Sequence, residues 1–204
     1  MAQATGFVVA GGRSRRMGSD KALLRWNAGT LLDHAIARLR EVADDVRILS
    51  GGEPRYQDRG LPVITDGPGG PGALVGLLAG LSVLERPLGL FLAVDLPHVT
   101  VPLLRHLLAL AEGVDAVVPI SPGGAEPLCA VYASSCLAPV REALARQDLK
   151  MTSFWSELRV RQVNAATLAS FGDPDRLFLN LNAPEDYERA QAAPIRTSAD
   201  DEQR

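Results

Sequence analysis

The sequence predicts an α/β fold in which a mostly parallel sheet is covered by helices on both faces. Two observations carry this expectation. Short, continuously apolar runs alternate with segments of helical spacing, and glycine-rich or acidic stretches follow the apolar runs instead of interrupting them. In such sheets ligands gather at the carboxyl ends of strands, so residues just beyond each strand become the functional candidates.

Taken in order, strands are expected over Phe7–Ala10, Val46–Ser50, Pro62–Thr65, Leu88–Val94 and Ala116–Pro119. Helices are expected between them over Leu31–Val42, Ala73–Leu84 and Val101–Ala111. In the first helix Leu32, Ala35, Ile36 and Leu39 share a face, with Asp33, Arg38 and Arg40 off it. The second half is less regular. Pro127–Ala133 fits a strand, antiparallel at a sheet edge. Ser134–Gln147 reads as a helix with Pro139 in its first turns, Met151–Leu158 as a short helix and Val160–Val163 as a strand. Phe178–Leu181 reads as a short strand before Pro184, which suits the first turn of a helix to about Ala190. The tail from Gln191 to Arg204 is polar and aperiodic, and disorder is expected there. No internal repeat or linker divides the chain, so one domain over residues 1–190 is expected.

Composition narrows the function classes. The 204 residues are 47% hydrophobic and 22% charged, enough to bury a core. A formal net charge of −3 gives no global basic field, so nucleic-acid binding by bulk electrostatics is not expected. Cys129 and Cys136 have neither metal-ligand spacing nor the look of a disulfide framework, and read as buried free thiols. No signal-peptide pattern opens the chain and no apolar stretch is long enough to span a membrane, so a soluble cytoplasmic protein is expected.

The richest stretch is Phe7-Val-Val-Ala-Gly-Gly-Arg-Ser-Arg-Arg-Met-Gly-Ser-Asp-Lys21. A short strand opens into Ala10, Gly11 and Gly12, and cations follow. Bare N–H groups at close range with fixed positive charge around them suit a polyphosphate. The loop is neither a Walker A loop, for which Gly18-Ser19-Asp20-Lys21 does not fit, nor the G-x-G-x-x-G dinucleotide fingerprint. Arg16 and Lys21 are the candidate phosphate contacts, while Arg13 and Arg15 read equally well as solvated surface charge.

Three further strand ends carry candidates. Asp66-Gly-Pro-Gly-Gly-Pro-Gly-Ala-Leu-Val-Gly76 follows a strand and runs into a helix. Asp66 can accept hydrogen bonds from a base or ribose, or simply form a turn. Gly76 and Gly80, one helical turn apart, serve either close ligand approach or tight helix–sheet packing. Asp95, at the exit of the very apolar Leu90-Phe-Leu-Ala-Val run, needs a partner, and beside a triphosphate Mg²⁺ is the natural one. The alternative is a helix cap. His98 reads as structural. Asn180 and Asn182, two apart on an extended run, point the same way and could hold a phosphate, a metal-bound water or a second substrate, or act as turn and cap residues.

Together these features resemble the molybdenum cofactor guanylyltransferases, the MobA family of the nucleotidyltransferase superfamily. The superfamily pattern L-A-G/A-G-x-S-x-R-M-G-x-x-K stands here as Val9-Ala-Gly-Gly-Arg-Ser-Arg-Arg-Met-Gly-Ser-Asp-Lys21. Gly12 and the Asp20-Lys21 ending look like the guanylyl branch, since cytidylyl relatives usually carry Ala-Ala-Gly. Val94-Asp-Leu-Pro97 resembles the magnesium-binding C-D-x-P, Glu126-Pro-Leu-Cys-Ala-Val-Tyr132 resembles Q-P-L-x-A-L-Y, and Asn180-Leu-Asn-Ala-Pro-Glu-Asp186 resembles N-x-N-T-P-E-D. The match runs from about Phe7 to Ala190. It departs at Ser50-Gly51-Gly52, where the family often has asparagine, at the Gly-Pro-Gly-Gly-Pro insertion before Gly76, and at Glu126 in place of glutamine.

The resemblance implies a Rossmann-like three-layer α/β/α fold of the nucleotide-diphospho-sugar transferase type. It implies GTP and molybdopterin, with or without molybdenum, as substrates, Mg²⁺ as cofactor, and molybdoenzymes with their chaperones as recipients. Arg16, Lys21 and Asp95 would be catalytic, with Asp95 also the metal ligand. Ala10, Gly11, Gly12, Lys21, Asp66, Gly76 and Asp95 would bind the nucleotide, and Asn180 and Asn182 would face the pterin. The rivals are a CTP-using molybdopterin enzyme, a sugar-phosphate nucleotidyltransferase, and a non-catalytic nucleotide-binding regulator. A regulator would be expected to lose Lys21 or Asp95, and both are present.

Overall fold

A computed structural model describes residues 3–11, 20–67, 70, 72–181 and 184–191. The chain opens with strand β1 (Ala4–Val9), followed by a small hairpin of β2 (Arg25–Trp26) and β3 (Gly29–Thr30), then helix α1 (Leu31–Arg40). Next come β4 (Asp45–Leu49), β5 (Val63–Ile64), α2 (Ala73–Ser82), β6 (Leu88–Ala93) and α3 (Val101–Ala109). The second half holds β7 (Ala116–Ser121), β8 (Gly124–Ala125), β9 (Cys129–Ala133), α4 (Leu137–Ala145) and β10 (Val160–Val163). Three short helices end it: α5 (Ala165–Leu168), α6 (Pro174–Leu177) and α7 (Pro184–Gln191).

The central sheet runs β10-β7-β9-β6-β1-β4-β5, with β8 paired to β7. β1 lies parallel to β4 on one side and to β6 on the other, in register Phe7↔Arg47 and Phe7↔Phe91. The order places the exits of β1, β4, β5 and β6 at one end of the sheet, where the connections to the helices begin.

Period-2 alternation divides the strand residues between two cores. Val8, Leu90, Leu92, Cys129 and Val131 pack on one face with α1 and α3, whereas Phe7, Phe91, Ala130 and Tyr132 pack on the other with α2 and α4. The Phe7 and Phe91 rings stack at 4.7 Å. This is the expected three-layer architecture.

Local chemistry sets the helix starts. Thr30 and Asp33 form a reciprocal capping box on α1, with Thr30 N donating to Asp33 Oδ2 at 3.0 Å and Asp33 N to Thr30 Oγ1 at 3.2 Å. Thr100 caps α3 ahead of Pro102, which sits in the first turn where its missing N–H is no loss. In α2, a Cβ on Gly80 would lie 2.7 Å from the Phe91 ring, so the glycine admits a sheet aromatic. The packing role left open for Gly80 is therefore the correct one.

Three expectations need correction. The antiparallel strand over 129–133 is not at an edge: it lies between β6 and β7, and all its residues but the last are buried. Its side chains feed both cores, which an edge strand's need not. Residues 178–181 form no strand. Phe178 and Leu181 are buried, but Leu181 N donates to Asp95 O at 3.1 Å, so the apolar positions anchor a crossing segment rather than a ladder. Within 151–158 there is one 3-10 turn, Trp155–Glu157, in place of a short helix. Arg38, off the apolar face of α1 as expected, is anchored across to the loop before α3: its Nε donates to Val99 O at 2.5 Å. The expected tail beyond Gln191 lies outside the described residues.

Candidate active site at the strand exits

The exits of β1, β4 and β5 are joined through backbone. Ala10 N donates to Leu49 O at 2.9 Å. A Cβ on Gly11 would fall 2.9 Å from both Cα and N of Gly51, so two chains meet there with no room for a side chain. Gly51 O in turn accepts from Asp66 N at 2.7 Å. Asp66 Oδ1 is 3.6 Å from where a Gly76 Cβ would stand, so these two predicted residues are neighbours in space. Burial pushes the Asp66 carboxyl up from its ordinary value.

The exit of β6 brings in charge. Lys21 begins a 3-10 turn, Lys21–Leu23, and its Nζ lies 3.1 Å from Asp95 Oδ2. Both side chains are largely covered, at 14% and 22% exposed. Asp95 follows Val94, whose N–H donates to Val9 O, so β1 holds the position of this carboxylate. Across the site Glu126 Oε1 accepts from Ser121 Oγ at 2.6 Å. Burial raises the Glu126 carboxyl, the Ser121 hydroxyl works against that, and the charge of Asp95 adds to it.

Sequence reasoning missed a network on the loop after β4. Arg55 Nη1 and the Tyr56 hydroxyl both donate to the carboxylate of Asp20, the residue before Lys21. The signal available was an arginine and an aromatic side by side on a strand-exit loop.

Of the remaining candidates, Asn180 is exposed beside Leu181, the residue bonded to Asp95. Gly12, Arg13, Arg15, Arg16 and Asn182 lie outside the described residues. His98 is buried with its ring edge-on to Trp26 at 5.5 Å, in keeping with a structural role. Among the described residues no group of three or more His, Cys, Asp or Glu side chains could hold a metal. No described helix is long and apolar enough to cross a membrane.

Residues 6–163 match the model of the MobA-like NTP transferase domain. The chain belongs to this family. It is 35% identical over 191 residues to a probable molybdenum cofactor guanylyltransferase of Pelotomaculum thermopropionicum, covering 94% of this chain and 93% of that one. It is 32% identical over 192 residues to the molybdenum cofactor guanylyltransferase of Desulfosudis oleivorans, covering 93% and 95%. Among solved structures it is similar to molybdopterin-guanine dinucleotide biosynthesis protein A of Archaeoglobus fulgidus, with a TM-score of 0.76 at 24% identity, covering 92% of this chain and 97% of that one. That last likeness concerns the fold. The MobA-like domain makes the protein a nucleotidyltransferase, and it ends at β10, so α5, α6 and α7 lie beyond the matched span.

Proposed function

We propose that this MobA-like protein transfers GMP from GTP to the terminal phosphate of molybdopterin, releasing pyrophosphate and forming the guanine dinucleotide cofactor. The observation that carries this is the covered Lys21–Asp95 pair, set beside a side-chain-free backbone contact between Gly11 and Gly51. The guanylyl relatives described above, which span nearly the whole chain, support guanine over the other bases.

In this reading a phosphate oxygen of molybdopterin forms a bond to the α-phosphorus of GTP. The bond from that phosphorus to the bridging oxygen breaks, and pyrophosphate departs with the electron pair. The attacking group is already an anion, so no protein nucleophile is needed. Positioning and charge neutralisation do the work. Ala10, Gly11 and Gly12 present backbone to the nucleotide, and Asp66 and Gly76 line its nucleoside side. Lys21 and Arg16 balance the charge of the triphosphate and the leaving group. Asn180 and Asn182 face the pterin.

Mg²⁺ fits this donor set. It commonly takes one or two carboxylates and completes its shell with phosphate oxygens and water. Asp95, partly exposed at 22%, is the residue that would hold it, with the Glu126 carboxyl near enough to respond to the same charge. When bound, the ion supplies neutralisation of phosphate charge. Lys21, held beside Asp95, would add its own positive charge next to the triphosphate.

Purified protein incubated with molybdopterin, Mg²⁺ and each nucleoside triphosphate separately tests the proposal. Guanine dinucleotide and pyrophosphate are expected with GTP alone. Consumption of CTP without GTP would move the assignment to the cytidylyl branch, and consumption of neither would favour a regulator.

A further inference from the structure

The loop after β4 carries a side-chain cluster with no place yet in the mechanism. The Tyr56 hydroxyl lies 2.9 and 2.8 Å from the two carboxylate oxygens of Asp20. Arg55 Nη1 donates to Asp20 Oδ2 at 2.9 Å. The same carboxylate accepts from Ala22 N at 3.1 Å and so caps the turn that Lys21 begins. The second terminal nitrogen of Arg55 reaches Ser50 O at 3.0 Å and Ala10 O at 3.4 Å. One guanidinium therefore touches the exit of β1, the exit of β4 and the residue before Lys21.

We propose that Arg55 and Tyr56 are positioning residues for nucleotidyl transfer, clamping Asp20 so that the Lys21 ammonium is held at Asp95 and the Ala10–Gly11 backbone is held against Ser50–Gly51. The inference rests on the guanylyl-transfer reading for its kinetic consequences, but not for its structural one.

Several features set this cluster apart from an ordinary surface stitch. Asp20 is a single carboxylate serving three donor groups, and charge-assisted bonds of this kind are the strong ones. Tyr56 is 7% exposed and holds a φ of +69°, a left-handed conformation unusual for a bulky residue. Such strain persists where the surroundings over-determine it, and it clusters at functional sites. The Arg55 guanidinium also lies over the Tyr56 ring, 5.0 Å from its centroid. Burial and the neighbouring Asp20 carboxylate keep the Tyr56 phenol protonated far above neutral pH, so it stays a donor throughout the working range. Ser50, fully buried, closes the loop by donating from Oγ to Glu53 O at 2.7 Å.

The geometry predicts a graded response. Tyr56→Phe keeps the buried ring and loses only the bond to Asp20. Arg55→Lys keeps one positive charge near Asp20 but cannot also reach both backbone carbonyls, and Arg55→Met loses every contact.

The experiment has two arms on the full chain. The first measures the reactivity of the Lys21 amine towards an acylating reagent, by peptide mass spectrometry and without substrate. Labelling is expected to rise at least threefold in Tyr56→Phe and Arg55→Met, and less in Arg55→Lys. The second measures kcat and KM for GTP and for molybdopterin at a temperature where each variant is folded by circular dichroism. kcat is expected to fall at least tenfold in Tyr56→Phe and Arg55→Met, with KM for molybdopterin within twofold of wild type and partial recovery in Arg55→Lys. Lys21 labelling within twofold of wild type in both severe variants overturns the clamp, whichever nucleotide proves to be the substrate. Raised labelling in a protein that does not use GTP upholds the clamp and sinks the guanylyl reading instead. A lowered melting temperature with unchanged labelling and kcat would make the cluster a structural stitch only.

Discussion

Lys21 Nζ and Asp95 Oδ2 meet at 3.1 Å although the two residues are 74 positions apart. The pair joins the loop after β1 to the exit of β6. Each side chain is covered enough that its charge would be poorly solvated alone. Replacing either residue leaves the other without this partner at the place where a triphosphate must be neutralised. Lys21→Ala and Asp95→Asn are each expected to lower turnover by more than about tenfold, the scale typical of losing one charge-stabilising group. Pyrophosphate release under saturating GTP is the measurement. A near-normal rate in either variant removes that residue from the mechanism.

Gly11 and Gly51 touch backbone to backbone. In Gly11→Ala the new methyl would sit 2.9 Å from Gly51 Cα and N, and neither is the end of a flexible side chain. The exits of β1 and β4 must separate, at a cost of about 1–3 kcal/mol. Urea denaturation should show that loss together with a raised KM for GTP. Unchanged KM would mean that the contact serves folding alone.

The two glycines of α2 should behave differently. Gly80→Ala drives a methyl into the Phe91 ring at 2.7 Å, so a stability loss of about 1–3 kcal/mol is expected with GTP kinetics nearly unchanged. Gly76→Ala meets Asp66 Oδ1 at 3.6 Å, an ordinary contact, and gains helix propensity of roughly 1 kcal/mol. Its fold should hold while KM for GTP rises. If both variants lose stability and neither affects GTP, Gly76 is a packing residue as well.

His34 and His98 predict an acid-sensitive fold. Burial first, then the Arg38 guanidinium, lowers His34 to about 4, even though its ring nitrogen Nε2 is 2.9 Å from Pro97 O. Burial first, then Arg176 and Arg38, lowers His98 to about 4. Both start from 6.5, so between pH 6.5 and 4 the unfolded chain binds more protons than the folded one. Stability is full above pH 6.5 and declines as pH falls, with a limiting slope of about 1.4 kcal/mol per pH unit for each histidine. His98→Phe, which keeps a ring against Trp26, should reduce that slope. Parallel wild-type and variant curves from urea titrations at pH 7.5, 5.5 and 4.5 would rule His98 out as a source.

Much of the fold was legible because strand and helix patterns are local. The runs beginning at Leu31, Ala73, Leu88 and Val101 became elements starting at those residues, since an apolar face of helical or alternating period records which side must be buried. The same logic misled at 178–181, where the apolar run buries Phe178 and Leu181 but pairs with no strand. An apolar run reports burial and is silent about what does the covering. The short α5 and α6 went unseen because four residues hold too little of a helical period to register.

By itself the sequence determined the layer architecture, the strand exits as the place of chemistry, and the charged and glycine residues waiting there. These follow from residue type and short-range spacing. The tertiary structure decided what the spacing could not contain: that β9 is central, that Lys21 faces Asp95, that Gly80 packs while Gly76 faces Asp66, and that Arg55 and Tyr56 converge on Asp20. Each of these is a contact between segments far apart in the chain. Such contacts depend on strand order and on side chains meeting across loops, and no local period encodes either.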